Sequence, residues 1–217
     1  MTDYTRQRQT MVENQLRPNR IDHPRLLEAM GSLPREQFCP PALRGVAYGD
    51  DDIDLGDGRR LIEPLALARL ILVATPQPSD VALVIGCDTG YSAAVLSRIV
   101  TTVFHQLPDG VDPTPAERVL GDLGCDNVVV QNGNLAAGLP GQAPFDIILL
   151  AGSVPEVPKG LLDELADGGR LAAVVNTGRV GKLTLCRKFA DGIGSSTPYD
   201  ARIPPIPALQ PPPQFTL

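Results

Sequence analysis

The chain has 217 residues, 43% hydrophobic and 20% charged, with a formal net charge of −6. That length supports one substantial core and a small appendage, and the composition is that of a globular domain. The negative balance, with no run of Lys and Arg, argues against a nucleic-acid or anionic-membrane partner, and no apolar stretch approaches the roughly 20 residues of a membrane helix. Aromatic residues make up only 4% and tryptophan is absent, which leaves no base-stacking platform. The opening Met1-Thr-Asp-Tyr-Thr-Arg is not followed by a hydrophobic region, so no signal peptide is expected. Cys39, Cys87, Cys125 and Cys186 lie too far apart for a CxxC pair or a zinc knuckle and read as free thiols of a reducing cytoplasm.

Met11, Val12 and Leu16 recur at helical spacing between charged residues and predict an amphipathic helix within 1–16. A second helix is expected to begin at Pro24, with Asp22 as its cap, and to end at Gly31. Residues 49–60 carry Asp50, Asp51, Asp52 and Asp54 and read as an acidic surface loop; their spacing is not that of a calcium loop, and no metal cluster is expected. Pro64 starts a helix burying Leu65, Leu67, Ala68, Leu70, Ile71 and Leu72.

From there apolar strands and helices alternate. Strands are predicted at 81–85, 101–106, 127–131, 145–151, 170–176 and 182–189, with helices at 91–100, 115–123 and 158–166. Continuous apolar strands separated by helices indicate a doubly wound, mostly parallel α/β sheet with helices on both faces. The last strands are expected to pair antiparallel, because 175–181 is too short for a crossover. Residues 1–75 form a helical extension packed on a core domain of 76–217. In the proline-rich tail, Ile203, Ile206, Leu209 and Phe215 favour packing back on that domain. The N-terminal helix and the tail are the candidate surfaces for a homo-oligomer or partner.

Such a sheet binds ligands beyond the carboxyl ends of its strands. Four segments are therefore expected to converge, at 86–90, 106–109, 132–135 and 151–154. The turn Gly86-Cys-Asp-Thr-Gly90 follows an apolar strand and precedes a helix, the place where α/β folds hold a nucleotide-like ligand. Asp88 stands where a third glycine would let a ligand approach, and reads as a cap or turn residue, with a ribose-binding or catalytic role as the alternative. Its charge opposes an anionic ligand group unless a cation intervenes. His105 reads as a ring packed at the sheet edge, with a general base as the alternative. Asn134 is placed to bond an adenine edge. The chain shows neither a GxSxG elbow nor a phosphate-binding GxxxxGK[ST] loop.

Several segments together resemble the protein-L-isoaspartate O-methyltransferases of the S-adenosylmethionine-dependent methyltransferase superfamily. They include Met11-Val-Glu-Asn-Gln-Leu16, Pro34-Arg-Glu-Gln-Phe-Cys-Pro40, Ala47-Tyr-Gly-Asp50, Ile85-Gly-Cys-Asp-Thr-Gly-Tyr91, Leu123-Gly-Cys-Asp-Asn-Val128 and Ala143-Pro-Phe-Asp146. The resemblance implies a methyltransferase fold and methyl transfer from S-adenosylmethionine to the α-carboxylate of an isoaspartyl residue in a damaged protein. It places the cofactor at Gly86, Cys87, Asp88, Gly90, Gln106, Leu107 and Asn134, and the acceptor at Arg60, Ile62 and Glu63. The chain departs from the family at these surfaces. Ile62 replaces a hydroxyl, Val84 and Leu107 replace acids, Asp88 replaces a glycine and Asn134 an aspartate. Each lost hydrogen bond to a desolvated ligand group costs about 1–3 kcal/mol. The expectation is weakened or lost binding and a non-catalytic or protein-binding role. The alternative is an active carboxyl methyltransferase in which the Arg60 guanidinium takes the acceptor carboxylate.

Overall fold

The computed structural model describes residues 3–178 and 180–211. Helix α1 (Tyr4–Met11) is capped by Asp3, whose Oδ1 accepts the Arg6 N–H at 3.0 Å. The helical path continues through a wider turn at Val12–Leu16 and a tight one at Arg17–Asn19, then stops where Arg20 turns left-handed, φ 62°. Helix α2 (Pro24–Ser32) buries Leu26, Leu27, Ala29 and Met30. Its cap is His23 and not Asp22: the imidazole accepts the Leu26 N–H on Nδ1 at 3.3 Å.

The stretch expected to be an acidic loop folds into a hairpin of β1 (Ile53–Gly56) and β2 (Arg59–Leu61). Asp57 (φ 53°) and Gly58 (φ 76°) take the two positive-φ places that a tight hairpin turn demands. Asp-Gly was the legible signal, masked by aspartates on strands too short to alternate. Helix α3 (Pro64–Ala74) begins at Pro64 as expected and buries Leu67, Ala68, Leu70 and Ile71, while Leu65 and Leu72 are only half-buried on its flanks.

The main sheet contains β3 (Val81–Ile85), β4 (Thr102–Pro108), β5 (Val128–Gly133), β6 (Phe145–Val154), β7 (Leu165–Val175), β8 (Lys182–Phe189) and β9 (Gly192–Asp200). Their order is β5-β4-β3-β6-β7-β8-β9; the first five in this order are parallel, and β8 and β9 are antiparallel. Helices α4 (Tyr91–Ser97), α5 (Thr114–Asp122) and α6 (Lys159–Asp163) connect the parallel strands. Helix α6 is shorter than the 158–166 expected because Leu165 already pairs with Phe145 as the start of β7. Strand β9 was not predicted. It is an exposed edge rich in Gly, Ser and Thr, so it carries no apolar signature.

Alternate residues of β3 enter two cores. Ala82 and Val84 join Leu16, Met30, Leu67, Leu70 and Val103 on the face covered by the N-terminal helices, α3 and α4. Leu83 and Ile85 pack with Phe145, Ile148 and Leu161 on the other face. The buried Arg170 ties α3 to the sheet, donating to the carbonyls of Ala74 (3.0 Å) and Thr75 (2.9 Å) and to Asp80 Oδ2 (2.7 Å). The chain leaves β3 towards β4 and β5, then returns to β6 on the opposite side of β3. That reversal opens a crevice at the carboxyl ends of β3 and β6.

Candidate active site

The glycine turn caps this crevice. Gly86 (φ 91°), Cys87 (φ 47°) and Gly90 (φ 87°) all have left-handed backbone, and Gly90 starts α4. Burial pushes the Cys87 thiol up to about 11, so it stays protonated at neutral pH. Beside the turn is a cavity of about 170 Å³. Gly86, Cys87 and Asp88 line it from the turn, Gln106 and Leu107 from the end of β4, Leu135 from beyond β5, and Ala151 from β6. The β1–β2 hairpin and the residue after it contribute Arg59, Arg60 and Ile62.

Asp88 is paired: Arg59 Nη1 lies 3.0 Å from its Oδ2. Arg59 also donates to the Leu55 carbonyl at 3.3 Å, and the Asp88 carboxylate raises its pKa further. The other oxygen, Asp88 Oδ1, is buried with no hydrogen-bond partner among the described residues. Gln106 is 1% exposed. Its Nε2 donates to the carbonyls of Asn134 (3.2 Å) and Gly138 (2.9 Å), while Oε1 is buried without a partner. His105, the neighbour of Gln106 on β4, is wholly buried within the sheet. Neither ring nitrogen has a partner among the described residues, and burial lowers its pKa to about 4. It is a neutral core residue, remote from the role of a proton-exchanging base at pH 7.

The C-terminal segment closes the crevice as a strap. Ser153 N–H donates to the Pro204 carbonyl at 2.7 Å, and Ile206 N–H donates to the Ser153 carbonyl at 2.9 Å. Ile206, 4% exposed, lies against the glycines: a Cβ at Gly152 would fall 2.6 Å from Ile206 Cγ1. Beyond the strap lies a polar groove of about 670 Å³ that includes Asp52, Arg60, Ser153, Asn176 and Arg202. Arg60, Pro204 and Pro205 line both the groove and the cavity. Arg60 pairs across the hairpin with Asp54 at 3.0 Å. Among the described residues, no three His, Cys, Asp or Glu side chains are grouped to hold a metal, and no helix is long and apolar enough to cross a membrane. All four cysteines are free.

Residues 6–202 match the family described as protein-L-isoaspartate(D-aspartate) O-methyltransferase. The chain belongs to that family. It is 36% identical over 204 residues to the protein-L-isoaspartate O-methyltransferase of Roseiflexus castenholzii, covering 94% of this chain and 93% of that one. A solved protein-L-isoaspartate O-methyltransferase superposes with a TM-score of 0.79 at 24% identity, over 91% of this chain and 65% of that longer one. A second, from Plasmodium falciparum, described as a putative protein-L-isoaspartate O-methyltransferase in complex with S-adenosyl-L-homocysteine, superposes with a TM-score of 0.76 at 19% identity. It covers 96% of this chain and 100% of that one. At those identities the two structures establish the methyltransferase fold.

Within this family framework the predicted residues separate. The four segments converge as expected, and Gly86, Cys87, Asp88, Gln106 and Leu107 all line the cavity. Gly90 and Asn134 are not among its lining residues. Gly90 lies under Leu120, and Asn134 Oδ1 accepts the Ala136 N–H at 3.0 Å to close its own turn. Of the residues expected at the acceptor, Arg60 and Ile62 line the cavity and Glu63 does not. Ile62 is 1% exposed, and its carbonyl accepts from Arg35 Nη2 at 2.7 Å. The Glu63 N–H donates to Asp52 Oδ1 at 2.8 Å; burial first, and then the Asp52 charge, raises the Glu63 pKa. Sequence reasoning missed Arg59, whose partner Asp88 lies 29 positions away. It also missed Arg35, which is fully buried, bonds the Ala47 carbonyl at 2.7 Å and stacks 4.7 Å over the Tyr91 ring. The expected burial of Ile203 and Ile206 is present; Phe215 lies outside the described residues.

Proposed function

We propose that the chain is an active S-adenosylmethionine-dependent carboxyl methyltransferase acting on isoaspartyl residues of damaged proteins in a reducing cytoplasm. The lost-activity reading drawn from the substitutions is the less favoured one, because the relatives matching nearly the whole chain carry the enzyme's name. The observation that carries the proposal is Arg60. It lines both the glycine-turn cavity and the polar groove, so a nucleoside in one and a peptide carboxylate in the other would meet at its guanidinium.

The cavity residues suit a nucleoside. Gly86 leaves its floor bare of a side chain, and Gln106 Oε1 is a buried acceptor in want of a donor. When bound, the cofactor supplies a methyl on a sulfonium for in-line displacement. A carboxylate is already nucleophilic, so the protein needs no base and acts by holding the acceptor in line. Arg60 holds the carboxylate and Ile62 excludes water from the reaction path. The volume of about 170 Å³ is below the roughly 300–1,000 Å³ of ordinary ligand sites, so Ile206 must yield on binding.

A second reading, a non-catalytic protein-binding module, draws support from Val84 and Leu107, fully apolar and buried where the family's acids are expected. Calorimetry with S-adenosylmethionine and a methyl-transfer assay on an isoaspartyl peptide decide between them. Binding tighter than about 100 μM, or roughly −5.5 kcal/mol, with peptide turnover is the expected result. No heat and no transfer would favour the module.

A further inference from the structure

We propose that Arg59 and Asp88 form a receptor for the zwitterionic α-amino-acid end of an adenosyl ligand, the carboxylate taken by Arg59 and the ammonium by Asp88. This rests on the reading of the cavity as an adenosyl site and goes beyond it by assigning two residues to one end of the ligand.

Both residues line the cavity at the glycine turn, and they reach it from separate elements. The hairpin turn at Asp57-Gly58 presents Arg59, and the loop after β3 presents Asp88. Their pairing leaves bonding capacity on both sides. Asp88 commits Oδ2 to Arg59 and keeps Oδ1 buried and unpartnered. The Arg59 side chain is 46% exposed, with Nη1 on Asp88 and Nη2 on the Leu55 carbonyl; the Asp57 carboxylate, 3.9 Å from Nη2 and 92% exposed, faces solvent and is too far to take a hydrogen bond from it. A guanidinium has five N–H donors, so donors remain. Taken together the pair is electrically neutral. A lone anion would face Asp88 and a lone cation would face Arg59, each at a Coulombic cost in a partly desolvated site. A ligand end carrying both charges matches both partners, and its ammonium satisfies an acceptor that the fold leaves bare. The pair also removes the objection that Asp88 repels an amino-acid carboxylate.

The test is calorimetry with three probes: S-adenosylhomocysteine, its decarboxylated analogue, and 5′-methylthioadenosine, which lacks the amino-acid end. The full-length protein should bind S-adenosylhomocysteine at least tenfold more tightly than 5′-methylthioadenosine. Arg59→Gln should abolish the preference for S-adenosylhomocysteine over the decarboxylated analogue. Asp88→Asn should reduce S-adenosylhomocysteine binding to near that of 5′-methylthioadenosine. Both variants should hold 5′-methylthioadenosine within about twofold of the parent, which also reports that the cavity is folded. The doubly exchanged Arg59→Asp, Asp88→Arg protein keeps an ion pair for the fold and should also lose the preference. Retention of the preference in these variants, or equal binding of S-adenosylhomocysteine and 5′-methylthioadenosine by the parent, overturns the receptor while leaving the adenosyl site standing. Failure of the parent to bind any of the three overturns the adenosyl site and the receptor with it.

Discussion

Ile206 rests directly on Gly86: a Cβ at Gly86 would meet Ile206 Cδ1 at 3.1 Å and the Ala151 carbonyl oxygen at 3.2 Å. The bare backbone of the turn thus accommodates the strap, which covers the surface that the proposed nucleoside would need. Ile206→Ala should widen the cavity and tighten nucleoside binding several-fold, at a stability cost of about 2 kcal/mol from lost burial. Calorimetry and urea denaturation read the two effects separately. Weaker nucleoside binding in a folded Ile206→Ala protein would show that the strap is part of the grip.

Gly86→Ala is expected to do harm by two routes. Its φ of 91° is costly for any residue with a Cβ, by about 1–2 kcal/mol, and the new methyl has no room beneath Ile206 and Ala151. A fall of at least about 2 kcal/mol in urea denaturation is the expected result. An unchanged midpoint would mean that the strap lifts freely.

Most of the architecture was legible because β3, β4, β6 and β7 are buried on both faces, and burial on both faces writes a continuous apolar run into the sequence. Strand β9 and the β1–β2 hairpin lie at the surface and write none. The convergence of four strand ends was legible for the same reason, since topology alone brings them together. Arg59 and Arg35 were not. Their roles depend on partners 29 and 27 positions away, Asp88 and Ile62, and no local period records such a pairing. Asn134 lies outside the cavity lining, and its Oδ1 closes a local turn on the Ala136 N–H.

Arg35 joins the N-terminal segment to the loop that carries Ile62, through bonds of 2.7 Å to the Ala47 and Ile62 carbonyls. Arg35→Met keeps much of the side-chain volume and removes both donors, leaving two buried carbonyls bare. A loss of about 2–4 kcal/mol is expected, because each unsatisfied buried group costs about 1–3 kcal/mol. Chemical denaturation measures it; a loss below about 1 kcal/mol would mean that water or relaxation replaces the arginine.

The buried pair of Arg170 and Asp80 makes a sharper prediction. Asp80→Ala leaves Arg170 buried without its carboxylate and should cost about 3–5 kcal/mol. Adding Arg170→Met removes the stranded charge and should restore part of that loss. A double variant no more stable than Asp80→Ala would place the importance of Arg170 in its bonds to Ala74 and Thr75.

His105 gives a pH signature. Unfolded, it takes up a proton near pH 6.5; folded, not until about pH 4, because burial disfavours the cation. The unfolded state therefore binds more protons across that window, and stability falls as the pH drops through it, by up to about 3 kcal/mol. Burial raises the carboxyls of Asp52, Glu63 and Glu164, which gives the opposite slope in the lower part of the same range. The comparison to make is thus parent against His105→Leu: the difference in their unfolding free energies should vary with pH between 4 and 6.5 and level off above 7. A pH-independent difference would mean that the imidazole is solvated.

Strand β9 forms one margin of the main sheet. It leaves one margin of a seven-stranded sheet open, and an open margin invites further strands from neighbouring copies. Pro198 withholds an amide hydrogen there, and Ile193 and Tyr199 are the exposed large apolar side chains on a strand otherwise made of small and polar residues. The weak strand that pattern reading overlooks thereby breaks the row of amide donors along that margin at Pro198.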